Sequence, residues 1–450
     1  MTDHQHDLHI APTTPSFYEA LRFWLKLGFI SFGGPAGQIS IMHQELVEQR
    51  RWISERRFLH ALNYCMVLPG PEAQQLATYI GWLMHGTRGG IAAGILFVLP
   101  SLLILIALSY VYMVYGHTHL VSGLFAGIKP AVTVIVVQAL HRIGGRALHN
   151  SSLWLIAIAA FVAIFVFTLP FPMILIGAAF LGWWGGRFYP HHFAIDSHHS
   201  GPSKNYGKAV IDDESPSPAH ARFHWWSLSK VLGLGMALWA LPMAVLYWQL
   251  GWQHTYTQMA WFFTKAALLT FGGAYAVLPY VMQAAVQEFN WLSPRQMIDG
   301  LALGETTPGP LIMVLAFVGF VGAYMQALLG PGFEWEAGTL AACLVTWFTF
   351  LPSFIFIFAG APVIETTHRQ LSLTAPLAAI TAAVVGVVLN LALFFAWHVL
   401  FPEGKDGGID LAACFIALAA GFALFRFKLK VTTVIASSAL LGLLLHSLST

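Results

Sequence analysis

The sequence predicts an all-helical membrane protein that crosses the bilayer several times and consists of two related halves. Hydrophobic residues make up 57% of its 450 residues and charged residues only 9%, far below the roughly 25% of a soluble domain. Several apolar stretches reach or approach the ~20 residues that cross a ~30 Å hydrocarbon core. They lie at residues 91–114, 153–169, 340–358 and 411–425. Short motifs in the first half recur in the second, which indicates an internal duplication.

Charge and cysteine content exclude several other classes of protein. The formal net charge is only +2, and the lysines and arginines form short clusters between apolar runs, so nucleic acid is not an expected partner. Cys65, Cys343 and Cys414 lie far apart, without the paired spacing of a disulfide framework or a zinc knuckle. The histidine pairs lack accompanying cysteines and fixed spacing, so we interpret them as solvated segments and expect no metal and no cofactor.

Polarity divides the chain into four parts. Residues 1–15 form a polar, His-rich N-terminal tail, without the basic stretch and apolar run of a cleaved signal peptide. Residues 16–186 form the first repeat and residues 223–450 the second. Residues 187–222 are rich in Pro, Ser, His, Asp and Lys, a composition that does not bury enough surface to order itself. We expect these residues to be a cytoplasmic linker.

The duplication is defined by motifs at a constant offset. Phe32-Gly33-Gly34 recurs as Phe271-Gly272-Gly273, and Pro69-Gly70-Pro71 recurs as Pro308-Gly309-Pro310, both after 239 residues (271 − 32 and 308 − 69). Farther along, Leu99-Pro100-Ser101 matches Leu351-Pro352-Ser353 after 252 residues (351 − 99). The second half therefore carries a modest insertion between these motifs.

Loop charges predict that the two halves are inverted relative to each other. Cytoplasmic loops are enriched in Lys and Arg. Arg88 precedes a first-half span, whereas the aligned segment 330–338 has two glutamates and no Lys or Arg. The next aligned loops reverse this pattern, because 116–123 lacks Lys and Arg and 366–370 contains Arg369. An odd number of spans, five, separates the Arg88 loop from the uncharged loop 251–258, as inverted repeats require.

Each repeat contains two helix breaks, one at Phe-Gly-Gly and one at Pro-Gly-Pro. Proline removes a backbone donor and glycine permits left-handed backbone, so both motifs interrupt helices. Non-helical backbone inside a membrane is tolerated only where it is buried in protein or lines an aqueous cavity. We therefore expect broken or re-entrant helical hairpins at these motifs, in addition to full transmembrane helices, and place the transport site there.

The helix breaks suit an oxyanion, because a half-helix that starts after a break directs free N–H groups and partial positive charge at the gap. Lys26 and Lys265 precede the glycine pairs at equivalent positions, and a cation inside a membrane segment is presumptively functional. The alternative is that both lysines extend to an interface. The predicted substrate-binding residues are Lys26, Lys265, Phe32, Gly33, Gly34, Gly272, Gly273, Pro69, Gly70, Pro71, Gln75, Thr307, Pro308, Gly309 and Pro310.

Two carboxylates lie beside the proline breaks and are candidates for proton coupling. Burial disfavours the charged form of a carboxyl group, so Glu72 or Glu305 could take up and release protons. They lie on opposite sides of the break and are not repeat equivalents, and either could instead accept hydrogen bonds from backbone N–H groups. Arg56 and Arg295 are repeat partners and candidates to guard two entrances; a positive-inside role for the arginine cluster around Arg56 is the alternative.

Taken together, these motifs resemble the chromate ion transporter family in its long two-domain form. The resemblance rests on Phe32-Gly33-Gly34-Pro35, on the segment 68–77, on Phe271-Gly272-Gly273-Ala274 and on the segment 304–310. It implies a bacterial inner-membrane, multi-pass carrier that exports chromate by using the proton gradient and so gives chromate resistance. It implies no enzymatic activity.

Two other functions remain open from the sequence. A carrier of the same architecture could transport sulfate or another tetrahedral oxyanion, because size and charge hardly separate these dianions. An integral-membrane metalloenzyme is the remote alternative, since the apolar spans show no His-x-x-x-His pattern or paired His and Glu for a metal site. The expected partners are chromate or sulfate, protons and the lipid bilayer, and the carrier could be a monomer or a homodimer.

Overall fold

A computed structural model describes residues 12–32, 34–188, 193, 206–213, 215, 218–367, 374–402, 404 and 408–449. Its first half contains seven α-helices, and a π-helical turn, Gln44–Gln49, directly extends α2. In the described part of the chain, one helix, α8, joins the halves, and no described first-half helix corresponds to it. The first-half helices are α1 (Phe17–Ile30), α2 (Gly34–His43), α3 (Glu55–Val67), α4 (Glu72–Tyr115), α5 (His119–Ala147), α6 (Ser151–Phe165) and α7 (Phe171–Phe188), and the joining helix is α8 (Trp225–Leu250).

The second half repeats this order with one interruption. A π-helical turn, Gln283–Glu288, follows α10 at the same place as its first-half equivalent, and a 3₁₀ turn, Leu311–Met313, leads into α12. Together α12 and α13 correspond to α4 of the first half. The second-half helices are α9 (Thr255–Leu268), α10 (Ala274–Met282), α11 (Pro294–Thr306), α12 (Val314–Met325), α13 (Glu334–Thr367), α14 (Thr374–Leu400), α15 (Leu411–Phe425) and α16 (Val431–Ser449).

The loop expected around Arg88 is instead a break inside α4. His85 and Gly86 have non-helical backbone, with φ of −132° and 64°, so α4 consists of two helices in direct succession. In the second half the inserted residues convert the same break into the loop between α12 and α13. Arg369, the basic residue of the other predicted loop, lies outside the described residues.

Among the described residues, six helices are long and apolar enough to cross a membrane by length and composition: α4, α5, α8, α13, α14 and α16. The expected spans at 153–169 and 411–425 form shorter helices, because α6 and α15 have 15 residues each and reach only about 22 Å at ~1.5 Å per residue. The prediction of an all-helical, multi-pass membrane fold with two homologous halves is confirmed.

The two halves exchange their last helices. Helices α6 and α7 of the first half pack on α14 of the second, while α15 and α16 pack on α5 of the first. Glycines allow the close approach: a Cβ on Gly127 of α5 would collide with the Ser438 carbonyl oxygen, and one on Gly386 of α14 with the Ala157 carbonyl oxygen. Small residues commonly permit such packing in membrane helices.

Replacing Gly127 by leucine is expected to destabilise the protein by about 1–3 kcal/mol, the usual cost of overpacking a helix contact. The obstructing atom belongs to the Ser438 backbone, so no side chain can rotate to make room. Thermal unfolding in detergent measures the effect. Gly145→Leu on the same helix is the matched control, because a Cβ there meets no heavy atom within 4 Å. Equal losses in both variants would contradict the packing argument.

Contacts between the halves define two ends of the molecule. We call the first the linker face: Arg57 and Tyr79 both contact Glu365 there, and His220 of the linker lies 2.9 Å from the Trp82 carbonyl oxygen. We call the second the opposite face: the Tyr112 hydroxyl donates to Asp299 over 2.8 Å. The second part of α4 runs from the linker face to the opposite face.

The second half has the reverse orientation, because α13 starts at the opposite face and ends at Glu365 on the linker face. Trp335, near the start of α13, packs against Tyr110 near the end of α4. Helix α8 supplies the extra crossing that turns the second half over. The halves are therefore inverted copies, as predicted, while the re-entrant character of the short hairpins remains a prediction.

Part of the linker is ordered, although its composition predicts no structure. Val210 and Ile211 donate backbone hydrogen bonds to the Arg51 and Trp52 carbonyl oxygens, each over 3.0 Å. Ser54 returns a backbone bond to the Ile211 carbonyl oxygen, also over 3.0 Å. The linker gains this order by pairing with the turn between α2 and α3, a tertiary contact that local composition does not reveal.

Candidate functional site

The Phe-Gly-Gly breaks end α1 and α9 in the same way. The hydroxyls of Ser31 and Thr270 each donate to a carbonyl oxygen one turn back, over 2.6 Å in both cases. After each break, glycine adopts left-handed backbone, with φ of 71° at Gly34, 78° at Gly272 and 96° at Gly273. Such angles strain any residue with a Cβ. Gly33 lies outside the described residues.

Each Pro-Gly-Pro break is bound to the Phe-Gly-Gly break of the other half. The Gly70 N–H donates to the Thr270 carbonyl oxygen, and the Gly309 N–H donates to the Ser31 carbonyl oxygen, both over 2.7 Å. The donors are 239 residues apart (309 − 70), and so are the acceptors (270 − 31). This reciprocity is the pattern of a two-fold axis. A pseudo-two-fold axis therefore passes between the breaks.

The breaks lie against the serines of the repeated Leu-Pro-Ser motif. A Cβ on Gly70 would lie 2.5 Å from the Ser353 hydroxyl oxygen, and one on Gly309 would lie 2.6 Å from the Ser101 Cβ. A Cβ on Gly273 would lie 3.9 Å from the Pro35 Cγ, so the two Phe-Gly-Gly loops also adjoin. All four breaks therefore converge at one place, which we call the central site.

Buried polar atoms without partners line this central site. The Gln38 amide donates to the Gly309 carbonyl oxygen over 2.5 Å, and the Gln75 amide donates to the Pro69 carbonyl oxygen over 2.8 Å. Both amide oxygens and the Ser101 hydroxyl have no hydrogen-bond partner among the described residues, although these side chains are buried. Unpaired buried polar atoms are rare and indicate a place for a ligand or water.

These side chains can also serve an anion. A half-turn of an amide exchanges its oxygen for an NH₂ group, and a hydroxyl can donate as well as accept. Gln38 and Gln75 both belong to the first half. Their repeat mates in the second half are Val277 and Val314 (offset 239), which carry no amide. The central site is thus two-fold in backbone but carries its amides on one side.

The predicted threonine at the second proline break bonds within its own helix. Thr307 is buried and donates to the Gly304 carbonyl oxygen over 3.1 Å. Phe32 is 36% exposed. The glycine of each Pro-Gly-Pro break has left-handed backbone, with φ of 124° at Gly70 and 106° at Gly309. The flanking prolines are Pro69 and Pro71 in the first half and Pro308 and Pro310 in the second.

Among the described residues, the side-chain contacts of the two predicted lysines are with a carboxylate and an aromatic ring, not with residues of the helix breaks. The Lys26 ammonium lies 3.2 Å from a Glu45 carboxylate oxygen, and its side chain is 55% exposed. Arg50 approaches the other oxygen of Glu45 at 3.1 Å. The Lys265 ammonium lies 6.0 Å from the centre of the Trp261 ring. A substrate-binding role for the two lysines remains a prediction.

The two candidate carboxylates differ in their partners. Glu305 is buried at the end of α11, and the Tyr275 hydroxyl donates a hydrogen bond to it. Tyr275 is the second residue of α10, and this helix begins directly after Gly273 of the Phe-Gly-Gly break. Glu72 begins α4 directly after Pro71 and is half-buried. Glu305 is therefore connected to a second break through one side chain.

Arg56 and Arg295 lie exposed in the first turns of α3 and α11. Ser54 and Ser293 cap these helices through their hydroxyl oxygens. The two arginines therefore lie just after the turns that lead into α3 and α11, one at each face of the molecule. Their role at the entrances remains a prediction. Among the described residues, no cluster of three or more His, Cys, Asp and Glu is arranged to hold a metal ion.

Several residues of the central site were not among the predicted ones. The predicted substrate-binding residues do not include Ser31, Thr270, Ser101, Ser353 or Gln38, although all five lie at the breaks. The repeated Leu-Pro-Ser motif was a signal for the last two serines, because its offset differs from that of the breaks by only the inserted residues. The acceptor role of Ser31 and Thr270 uses backbone oxygens, which no side-chain pattern indicates.

Comparisons with known proteins give the same division into halves. A family model described as chromate transporter matches residues 18–183 and 257–443, so that α8 lies outside both matched segments. A chromate transport protein from Pseudomonas aeruginosa is 31% identical over 96% of this chain and 93% of its own length. A chromate transport protein from Cupriavidus metallidurans is 27% identical over 98% of this chain and 96% of its own length.

A shorter relative corresponds to about one repeat. The uncharacterized transporter YwrA from Bacillus subtilis is 28% identical over 180 residues, which are 39% of this chain but 98% of that protein. No solved structure matches the chain.

Proposed function

The chain belongs to the chromate transporter family, and on this premise we propose that it exports chromate across the bacterial inner membrane, driven by the proton gradient. The resemblance in the motifs is thereby confirmed at the level of the family. The observation that supports a carrier is the convergence of four helix breaks from two inverted halves, since inverted repeats with broken helices place substrate at the repeat interface.

The central site binds the dianion through neutral donors in this proposal. Helices α2, α4 and α10 begin at the converging breaks, and their first N–H groups and positive dipole ends favour an anion. Gln38, Gln75 and Ser101 supply side-chain donors from buried positions. Neutral donors bind a tetrahedral dianion without the desolvation cost of a buried ion pair.

Lys26 and Lys265 act in this proposal as cations near the approach to the site, where they raise the local concentration of anions. The double variant Lys26→Gln/Lys265→Gln is expected to reduce chromate flux about 10-fold at low ionic strength, because charge attraction is screened by salt. Flux at several salt concentrations measures this. Lys230→Gln on α8, an exposed lysine elsewhere, is the control. Unchanged flux at all salt concentrations in the well-expressed double variant would refute the role.

Protons are coupled through Glu305 in this proposal, because Tyr275 connects that carboxyl to the second Phe-Gly-Gly break. Glu72 is the competing candidate, at the first proline break. The linker face is cytoplasmic, since the turn 50–57 has four arginines and basic residues favour the cytoplasmic side. Export then moves chromate from the linker face to the opposite face.

Flux into proteoliposomes with an imposed pH gradient tests the proposal. Radiolabelled chromate should accumulate against its own gradient when a proton gradient is imposed, and a protonophore should abolish the accumulation. Competitive inhibition of chromate flux by equimolar sulfate would show a general oxyanion carrier instead. Equal accumulation of chromate with and without the pH gradient would refute proton coupling.

A further inference from the structure

A largely buried ion pair at the linker face joins α3 of the first half to α13 of the second half. The Arg57 guanidinium on α3 lies 3.6 Å from a Glu365 carboxylate oxygen near the end of α13, and their side chains are 15% and 7% exposed. The Tyr79 hydroxyl on α4 donates to the other Glu365 oxygen over 2.5 Å. We call these three residues the linker-face latch.

A second, largely buried ion pair joins α11 of the second half to α5 of the first half at the opposite face. The Lys129 ammonium on α5 lies 3.1 Å from Asp299 on α11, and their side chains are 13% and 4% exposed. The Tyr112 hydroxyl on α4 donates to the other Asp299 oxygen over 2.8 Å. We call Tyr112, Lys129 and Asp299 the opposite-face latch.

The two latches occupy repeat-related places. His60 on α3 is the repeat mate of Asp299 (offset 239), one turn from Arg57, and Ile364 on α13 is the mate of Tyr112 (offset 252), next to Glu365. The charges are reversed, because α3 supplies the cation in the linker-face latch and its repeat mate α11 supplies the carboxylate in the opposite-face latch. The same kind of contact is therefore present at both faces, and different residues form it.

Both latches lie at a distance from the central site, on opposite sides of it. Arg57 is 13 residues before Gly70 and Asp299 is 10 residues before Gly309 (70 − 57 and 309 − 299), about 20 Å and 15 Å along a helix at ~1.5 Å per residue. The linker-face latch holds α3 against α13, and the opposite-face latch holds α11 against α5. Each latch therefore joins a helix that leads to a Pro-Gly-Pro break to a long helix of the other half.

We propose that the two latches are the alternating gates of the carrier: the linker-face latch closes the cytoplasmic approach and the opposite-face latch closes the other. This inference rests on the proposed carrier function. A buried ion pair suits a gate because its net stabilisation is small: the charges lose hydration when they pair and regain it when the face opens to water. Each latch opens while the other stays closed, so the central site is never open to both sides.

A purely structural role predicts a different result when the latches are fixed. We expect cysteine pairs in place of each ion pair, Arg57→Cys/Glu365→Cys or Lys129→Cys/Asp299→Cys, to reduce flux at least 10-fold when a bifunctional methanethiosulfonate reagent, long enough to replace the two side chains, joins the thiols through disulfides. Reduction of the same protein should restore the flux to that of the unlinked variant. The native Cys65, Cys343 and Cys414 are replaced by alanine beforehand. Full flux in the cross-linked state would overturn the proposal, because a gate has to open.

Accessibility measured from each side provides the second test and does not depend on the substrate. Ser101→Cys reports on the central site, and a membrane-impermeant thiol reagent is added to right-side-out or inverted vesicles. Lys129→Gln should speed labelling at least 5-fold from the opposite face, and Arg57→Gln should do so from the linker face. The exchanged pair Lys129→Asp/Asp299→Lys should return labelling toward the starting rate. Faster labelling from both faces, or from neither, would overturn the proposal.

Discussion

Replacing both Gly70 and Gly309 by alanine is expected to reduce chromate flux by roughly 100-fold, the scale of loss that follows a ~1 Å misplacement in a positioned site. Both glycines have left-handed backbone, where a Cβ costs about 1–2 kcal/mol. The new methyl groups would also lie 2.5 Å from the Ser353 hydroxyl oxygen and 2.6 Å from the Ser101 Cβ. Flux in proteoliposomes measures the change.

The controls separate loss of the central site from loss of the fold. Gly177→Ala and Gly233→Ala add a methyl group where no heavy atom lies within 4 Å and should leave flux unchanged. The single variants Gly70→Ala and Gly309→Ala should each be impaired, because each breaks one of two reciprocal bonds. A folded double variant with near-normal flux would show that the breaks need not hold their observed shape.

Replacing Glu305 by glutamine is expected to abolish accumulation driven by a pH gradient while exchange of chromate for chromate continues. Glutamine keeps a hydrogen-bond acceptor for the Tyr275 hydroxyl, which donates to Glu305, but it cannot carry a proton through the cycle. Net flux that requires proton release should therefore fall more than 10-fold, whereas exchange needs no change in protonation. The same vesicles, with and without internal chromate, measure both rates.

Glu72→Gln decides between the two candidate carboxylates. If it alone uncouples transport from the pH gradient and Glu305→Gln does not, Glu72 carries the proton. Glu336→Gln, an exposed residue in the first turn of α13, controls for the loss of a negative charge. Loss of both exchange and coupled flux in Glu305→Gln would instead indicate that Glu305 maintains the contact of α11 with α10.

Much of the fold was predictable, because hydrophobic length, helix breakers and loop charge are local properties. The constant offset of 239 residues identifies both pairs of breaks from the sequence alone. The extents of single helices were less predictable: α6 and α15 are shorter than their apolar stretches. The break at His85 and Gly86 was expected as a loop because the apolar pattern does not distinguish a kink from a connection.

The side-chain pairs of the site were not predictable from one sequence. Lys26 is repeat-related to Lys265, yet its contact with Glu45 depends on how α1 lies against the π-helical turn, and the repeat mate of Glu45 is Ala284 (offset 239). Lys129 and Asp299 belong to different halves and have no common motif. Such pairs arise from packing between helices that are distant in the chain, for which periodicity carries no signal.

The single helix α8 has a consequence for how such a protein can arise by gene fusion. A protein of one repeat enters the membrane with one orientation, and two identical copies joined end to end need an extra crossing between them to be inserted in opposite directions. Helix α8 lies outside both segments matched by the family model and provides that crossing. Fusion without α8 would insert both halves in the membrane with the same orientation. The reciprocal hydrogen bonds, from Gly70 to Thr270 and from Gly309 to Ser31, could then not form.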